Sequence, residues 1–510
     1  MIPSGRTPPS GPPTGVAALA LLAAPFVLFG FARAALRAAG GEWGLPLDDA
    51  WIHQRFAAQL AAGQGWSFNS GEPSAASTSP LWVVLLALLR LGGADGPGAA
   101  MILSGIGFGL TAALAGWLAG RLAGGWAAVL AAGLTLLTGR FAWAALSGME
   151  ITAFGAVSLL TLVVLDRDGS GPVLGALLGL GILLRPEGWL LALIVVALTA
   201  GSRALPRRQL LALAMTGAVI VAPWVIWCLA LTGTPLPATF GPNGGGLRWP
   251  DTGFLRAWVR LLTEDNLPLL LAAALGSGLI IGVGRVRSRA GLALASWWIL
   301  LPLASSIVAP NLRHYGRYLM PILPAGAVLA AGAAVRVAAA LGTRGGRPGR
   351  VLGLLATAGV LATPAALALP TWVETFGHNV GDIQGQHVRT ARWLAEHAGL
   401  DCLLATNDIG VLGVLSGCRI YDLVGLVTPE MARLHREVTD PTRRAELIHA
   451  RLRERGVTHV AIHPAWFPDL ARDGTLVPVF EARLADNRTT AGARFVVYRT
   501  PWGGRGRMPD

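Results

Sequence analysis

The sequence predicts an α-helical polytopic membrane protein that carries a small α/β domain at its C-terminal end. Three observations predict it. Of the 510 residues, 53% are hydrophobic and only 14% are charged, and the mean hydropathy is +0.55. A soluble chain carries nearer a quarter charged residues. Apolar runs of roughly 15–23 residues, long enough to cross a bilayer, recur as far as about Leu369. Beyond that point the composition turns polar, and short apolar strands alternate with helical segments.

Residues 1–15 (MIPSGRTPPSGPPTG) are Pro-rich and read as a disordered cytoplasmic tail. The stretch after them has a loose cleavage-like pattern at Ala32-Arg33-Ala34. Its long, weakly basic lead-in nevertheless favours a retained first helix over a signal peptide. Spans are expected at 16–38, 98–119, 124–139, 150–165, 172–184, 188–200, 209–231, 268–284, 291–308, 319–340 and 351–369. That makes about eleven transmembrane helices in a domain over 16–369. Residues 39–92 form its first extracytoplasmic loop, and 80–92 are short enough to lie in the interface. An extracytoplasmic α/β domain is expected over 370–500. It holds helices at Gln386–Ala398 and Thr442–Arg455 and strands at Cys402–Ala405, Arg419–Leu423 and Thr458–Ile462. Residues 501–510 read as a disordered tail.

The net charge is +13, and every base is arginine, since the chain has no lysine. The charge is spread over short loops, which suits contact with anionic lipid headgroups. No soluble basic face carries stacking aromatics, so nucleic-acid binding is excluded. Three tight clusters, Arg203/Arg207/Arg208, Arg285/Arg287/Arg289 and Arg344/Arg347/Arg350, mark cytoplasmic loops. They place the N-terminus in the cytoplasm of a cell (plasma or inner) membrane. The segments with Asp48/Asp49, Arg140–Glu150, Arg185–Glu187, Thr234–Phe240 and Asn311–Arg317, and the C-terminal domain, then fall on the other side. Cys228 sits in an apolar span as a small core residue. Cys402 and Cys418 each stand at the start of an expected strand, and in an oxidising compartment they can close a disulfide.

The chemistry concentrates on the external side. Asp48 and Asp49 open an amphipathic helix at Ala50–Ala62, and adjacent residues on a helix point different ways. One carboxylate can act as general base toward a hydroxyl while the other fixes the helix start; simple N-capping is the bland reading. His53 lies one turn further along, where it reaches substrate or merely solvent. Arg185-Pro186-Glu187-Gly188 breaks an apolar run into two short helices. Arg185 can hold a phosphate there, or pair internally with Glu187 or Glu150. Arg313, Tyr315 and Arg317 can clamp a phosphate and cover a sugar or lipid face, or form an interfacial aromatic belt. Glu150 stands near a helix N-terminus, which favours a negative charge whatever its role. His459 and His463 lie four apart on an expected strand, roughly 13 Å end to end, too far to share one ion. No P-loop, dinucleotide fingerprint or HExxH occurs.

The stretch DDAWIHQRFAAQLAAGQGWSFNSGE…STSPLW resembles the first external loop of GT-C glycosyltransferases, and the closest pattern is the terminal arabinofuranosyltransferase-like branch. SGMEITAF, LLRPEGW, RHYGRYLMPILP and NDIGVLGVLSGCRIYDLVGLVTP resemble the same branch in order and spacing, so the resemblance covers nearly the whole chain. It implies a GT-C-like bundle that transfers a sugar from a polyprenyl-phosphate donor to an envelope glycan, lipid or protein, by inverting displacement. By that resemblance Asp48 or Asp49 is the catalytic base, with Asp48 favoured. Arg185, Arg313 and Arg317 neutralise the donor phosphate. Glu72 matches the family's Gly-Glu, whereas His53 and Gln54 replace commoner residues after the acid pair; the expected substrate-binding residues are His53, Glu72, Glu150, Glu187 and Tyr315. Ser77-Thr78-Ser79-Pro80 departs from the usual Tyr-Thr-Asn-Pro, which bears on sugar and acceptor rather than on reaction class. No cofactor and no metal ligand is assigned, although Asp48, Asp49 and Glu150 could hold a divalent cation. The competing readings are a transporter or flippase of lipid-linked sugars, which would carry ionisable groups at mid-membrane, and a non-catalytic envelope scaffold.

Overall fold

The computed structural model describes residues 14–202, 205–237, 249–282, 288–341 and 346–502. Arg203, Arg285, Arg287 and Arg344 of the expected cytoplasmic clusters, the side chain of Arg347, residues 238–240 and most of both expected tails lie outside the described residues.

Among the described residues, fourteen helices of eight residues or more carry the chain as far as Ile383: α1 Thr14–Ala38, α2 Asp48–Ala61, α3 Pro80–Leu91, α4 Gly96–Ala123, α5 Gly125–Leu137, α6 Gly139–Leu146, α7 Ile151–Asp166, α8 Gly171–Leu184, α9 Gly188–Gly201, α10 Arg207–Thr232, α11 Thr252–Gly282, α12 Arg289–Val308, α13 Leu323–Leu341 and α14 Gly346–Ile383. Each expected span has a helix. By length and composition seven can cross a membrane among the described residues, or eight if α5 and α6, bent by 59°, count as one broken span. The other three expected spans are α7, α8 and α9, of 16, 14 and 14 residues, shorter than the ~20 residues of a full crossing.

The chain divides into two compact units. One comprises the described parts of Met1–Arg33, Met101–Val221 and Leu247–Val373; the other comprises those of Ala34–Ala100, Ala222–Gly246 and Glu374–Asp510.

The first unit is a helix bundle rich in small residues, which let helix backbones approach closely. At Gly276 a Cβ would run into the Leu329 carbonyl, so glycine there lets α11 and α13 approach this closely. Buried hydroxyls hold α4 to the start of α7. Ser104 Oγ donates to Met149 O (2.8 Å), and Thr152 Oγ1 donates to Ser104 O (2.6 Å). In α11 the helix breaks at Asn266 (φ −167°, ψ 85°), two residues before Pro268. Asn266 Oδ1 accepts the Leu269 amide, which the break leaves without a helical partner, and its Nδ2 donates to Leu361 O of α14.

The second unit holds the small α/β fold. After α14 come a π-helical turn at Gln384–Val388 and then α15 Arg389–His397, β1 Leu403–Thr406, α16 Gly410–Leu415, β2 Arg419–Asp422, α17 Pro429–Glu437, α18 Pro441–Glu454, β3 His459–Ile462, α19 Pro468–Arg472, β4 Val477–Arg483 and β5 Arg494–Arg499. The sheet order is β2-β1-β3-β5-β4. The first three strands are parallel, with Leu404 opposite both Ile420 and His459, and β5 runs antiparallel to β3 and β4. Strands β4 and β5 and helix α17 were not expected from the sequence. The core gathers Tyr421, Leu452, Val460, Ile462 and Val496. The first-loop residues pack within this unit: Asn69 Nδ2 donates to Ile420 O (2.9 Å), and its Oδ1 accepts the Ile420 amide (2.9 Å), like an extra strand residue at β2.

Candidate functional site

In the helix bundle the break between α8 and α9 puts Arg185 in extended backbone (φ −152°, ψ 140°), turning its side chain inward. Arg185 is 3% exposed and is held by two carboxylates. Nη1 lies 2.5 Å from Glu150 Oε1 and Nη2 lies 2.8 Å from Glu187 Oε1. The internal ion pair considered for Arg185 is therefore present, with both candidate partners. Its guanidinium carbon is 5.4 Å from the centre of the Tyr318 ring, and that of Arg317 is 4.9 Å from the same ring. Arg317, buried, also donates to Tyr318 Oη (2.9 Å) and touches Met149 Sδ (3.6 Å). Two cations thus share one aromatic ring. Arg313 is exposed and stands apart from this pair by its environment.

His314, Tyr315 and Gly316 all have left-handed backbone, with φ of 51°, 63° and 72°. For the two non-glycines this costs on the order of 1–3 kcal/mol each, and such residues persist only where surroundings over-determine them. Arg140, 2% exposed, supplies that hold: its Nη1 donates to Tyr315 O. The Tyr315 ring meets Trp143 and Trp372 edge-on, at 5.7 and 5.5 Å. Arg140 is itself fixed by Asp265 (Nε to Oδ2, 2.6 Å) and lies 4.5 Å from the Trp372 ring centre. This anchor, invisible as spacing, was missed in the sequence.

The second unit contains the acid pair. Asp48 is the first residue of α2, and both its oxygens are committed. Oδ2 accepts the Gly410 amide (2.7 Å) and Oδ1 the Val411 amide (2.8 Å), at the first turn of α16. Burial lifts its pKa to about 6, against the opposing pull of His387 and the two amides. Asp49, half-buried, is its neighbour on the helix and lies four positions before the buried His53, so those two share one face. Glu72 is a latch: it accepts from Asn69 Nδ2 (2.7 Å) and pairs with Arg419.

Behind Asp48 lies a group that sequence reading did not assemble. Asp408, in the turn after β1, has Oδ2 2.9 Å from His463 Nε2 and 3.2 Å from His387 Nε2. His463 directly follows β3, so both residues sit at the carboxyl edge of two adjacent parallel strands, and His387 comes from the π-helical turn. Burial raises Asp408, but the two imidazoles outweigh it and hold its carboxyl well below the usual carboxylate range. His459, four residues before His463, stays on the strand and is not part of the group. The expected disulfide Cys402–Cys418 is formed, joining the starts of β1 and β2, and Cys228 is free and buried.

Residues 378–498 match a domain of unknown function (DUF8728). No curated protein matches the sequence. Among solved structures the chain is similar to ArnT from Cupriavidus metallidurans bound to undecaprenyl phosphate, at 17% identity and TM-score 0.63, over 97% of this chain and 100% of that one. It is also similar to the Archaeoglobus fulgidus oligosaccharyltransferase AglB in complex with an inhibitory peptide and a dolichol-phosphate. There the identity is 14% and the TM-score 0.58, over 94% of this chain and 74% of that one. A third similarity is to the mycobacterial arabinofuranosyltransferase AftD, at 16% identity and TM-score 0.51, over 96% of this chain but 40% of that longer one. The likeness at these identities shows that the chain has the fold these three share.

Proposed function

We propose that this chain is a membrane glycosyltransferase that moves a sugar from a polyprenyl-phosphate donor to a hydroxyl of an envelope glycan, lipid or protein. The observation that carries the reading is the GT-C fold, matched over the full length of an ArnT structure that holds undecaprenyl phosphate. The Cys402–Cys418 disulfide supports an extracytoplasmic site for the small domain, because such bonds persist in oxidising compartments.

The reaction is a single inverting displacement. A carboxylate takes the acceptor proton as the acceptor oxygen attacks the anomeric carbon. The bond from that carbon to the phosphate oxygen breaks, and polyprenyl phosphate leaves. We assign the base to Asp49 rather than Asp48, since Asp48 already spends both oxygens on the α16 amides. His53, on the Asp49 face of α2, orients the acceptor. Arg185 and Arg317, both close to the Tyr318 ring, take the phosphate charge, and Glu150 and Glu187 keep Arg185 in place. Arg313 is left to lipid headgroups, Glu72 to fastening the first loop, and Tyr315 to shaping the turn that carries Arg317.

The test is mass spectrometry of envelope glycans in a deletion strain, complemented by wild type, Asp49→Asn or Asp48→Asn. One terminal sugar should vanish on deletion and stay absent with Asp49→Asn at normal protein levels. Asp48→Asn should instead lower the protein level. An unchanged glycan profile on deletion would remove the assignment, and sugar counterflow without transfer would favour a transporter.

A further inference from the structure

We propose that His387, Asp408 and His463 bind one divalent transition-metal ion, zinc foremost, as a clamp at the carboxyl edge of β1 and β3. One ligand atom from each lies within 4.8 Å of the others. The two shorter separations, 2.9 and 3.2 Å, are near the ~3.3 Å between neighbouring ligands of a tetrahedral ion with bonds of about 2.0 Å. Two imidazoles and one carboxylate are a donor set suited to such ions, with a fourth position left for water.

The proton inventory points the same way. His463 Nδ1 lies 3.0 Å from Arg494 O, and a carbonyl only accepts, so Nδ1 carries the hydrogen. In the neutral ring Nε2 is then a bare lone pair, yet it faces the carboxylate oxygen of Asp408 at 2.9 Å. Two acceptors at that distance need something positive between them. His387 repeats the problem: it is 2% exposed, its Nε2 is 3.2 Å from the same oxygen, and neither ring nitrogen makes a well-formed hydrogen bond. A metal ion answers both rings at once, where the alternative is two buried imidazolium ions around one carboxylate.

The surroundings match a metal's outer shell. Ligating histidines give their other nitrogen to a carbonyl or carboxylate. Arg494 O serves His463 in this way, and Asp48 Oδ1, 3.9 Å from His387 Nδ1, stands on the corresponding side of His387. Phe495 packs against both rings, at 5.2 Å from His387 and 4.7 Å from His463, and excludes water on that side. The ion would tie the π-helical turn to the two strand ends and, through Asp48, to the start of α2. The inference does not depend on glycosyl transfer.

The full-length protein, purified in detergent after growth with zinc, is assayed by elemental mass spectrometry. About one zinc per chain is expected, falling to background in His387→Ala/His463→Ala. Stripping wild type with 1,10-phenanthroline should lower its melting temperature, and zinc should restore it. Refilling stripped protein with Co2+ should give visible absorption bands. Should the double variant fail to fold, the stripped and refilled wild type decides the matter. A wild type that takes up neither zinc nor cobalt, or a folded double variant that keeps its zinc, overturns the proposal.

Discussion

Asp48 and Gly410 stand 362 positions apart in the chain, yet the Asp48 carboxylate accepts the Gly410 amide at 2.7 Å, and a Cβ on Gly410 would collide with the Asp48 carbonyl. Gly410→Ala should therefore push α2 from α16 and lower stability by about 1–3 kcal/mol. Thermal unfolding of the purified protein in detergent checks this, and an unchanged melting temperature would count against the contact.

Arg140 and Asp265 offer a second test. Removing the carboxylate leaves a guanidinium that is 2% exposed without its charged partner. Asp265→Ala should cost about 3–5 kcal/mol, and Arg140→Met/Asp265→Asn should cost less than the single change. The thermodynamic cycle is read by melting temperature.

Asp422 gives the pH signature of the small domain. Burial is the main cause that lifts its pKa to about 6, against the amides of Val427 and Val424. The folded state thus holds the Asp422 proton more tightly than the unfolded chain, whose carboxyl titrates near 3.8. The stabilisation, about 3 kcal/mol, is complete below pH ~4 and is lost as pH rises through about 6. Relative to Asp422→Asn, wild type should be more stable at pH 4 than at pH 7, and a difference constant across that range would contradict it.

The disulfide is checked by counting thiols. Of three cysteines, only Cys228 should react in denaturant without reductant, and all three after reduction. Cys402→Ser/Cys418→Ser should destabilise the small domain by about 3 kcal/mol, as expected for opening a loop of roughly 15 residues.

Much of the bundle was legible because bilayer-crossing segments announce themselves by hydropathy, and every expected span became helical. Strands β1 and β3 were legible because each is a compact, largely apolar run next to a turn, and β2 because Ile420 and Tyr421 stand together between turns. Strand β4 was hidden: Val477-Pro478-Val479-Phe480-Glu481-Ala482-Arg483 is mostly exposed and its pairing shifts between Pro478 and Phe480. Candidate site residues could be named from the sequence, but their partnerships could not. Arg185 and Glu187 are neighbours, so their pairing could be weighed; Arg140 and Asp265 lie 125 positions apart and could not. Asp408 and His463 are separated by 55 positions, and His387 owes its place to a π-helical turn that no local pattern signalled. The choice between Asp48 and Asp49 was equally beyond the sequence, since only the fold brings the α16 amides to Asp48.

The second compact unit is stitched from stretches near the beginning, the middle and the end of the chain. During synthesis its early portion is made long before the last portion has been delivered, while the intervening helices insert. Biogenesis therefore cannot proceed one folded block at a time, and truncated products would expose the sticky, unfinished edge that quality-control proteases remove.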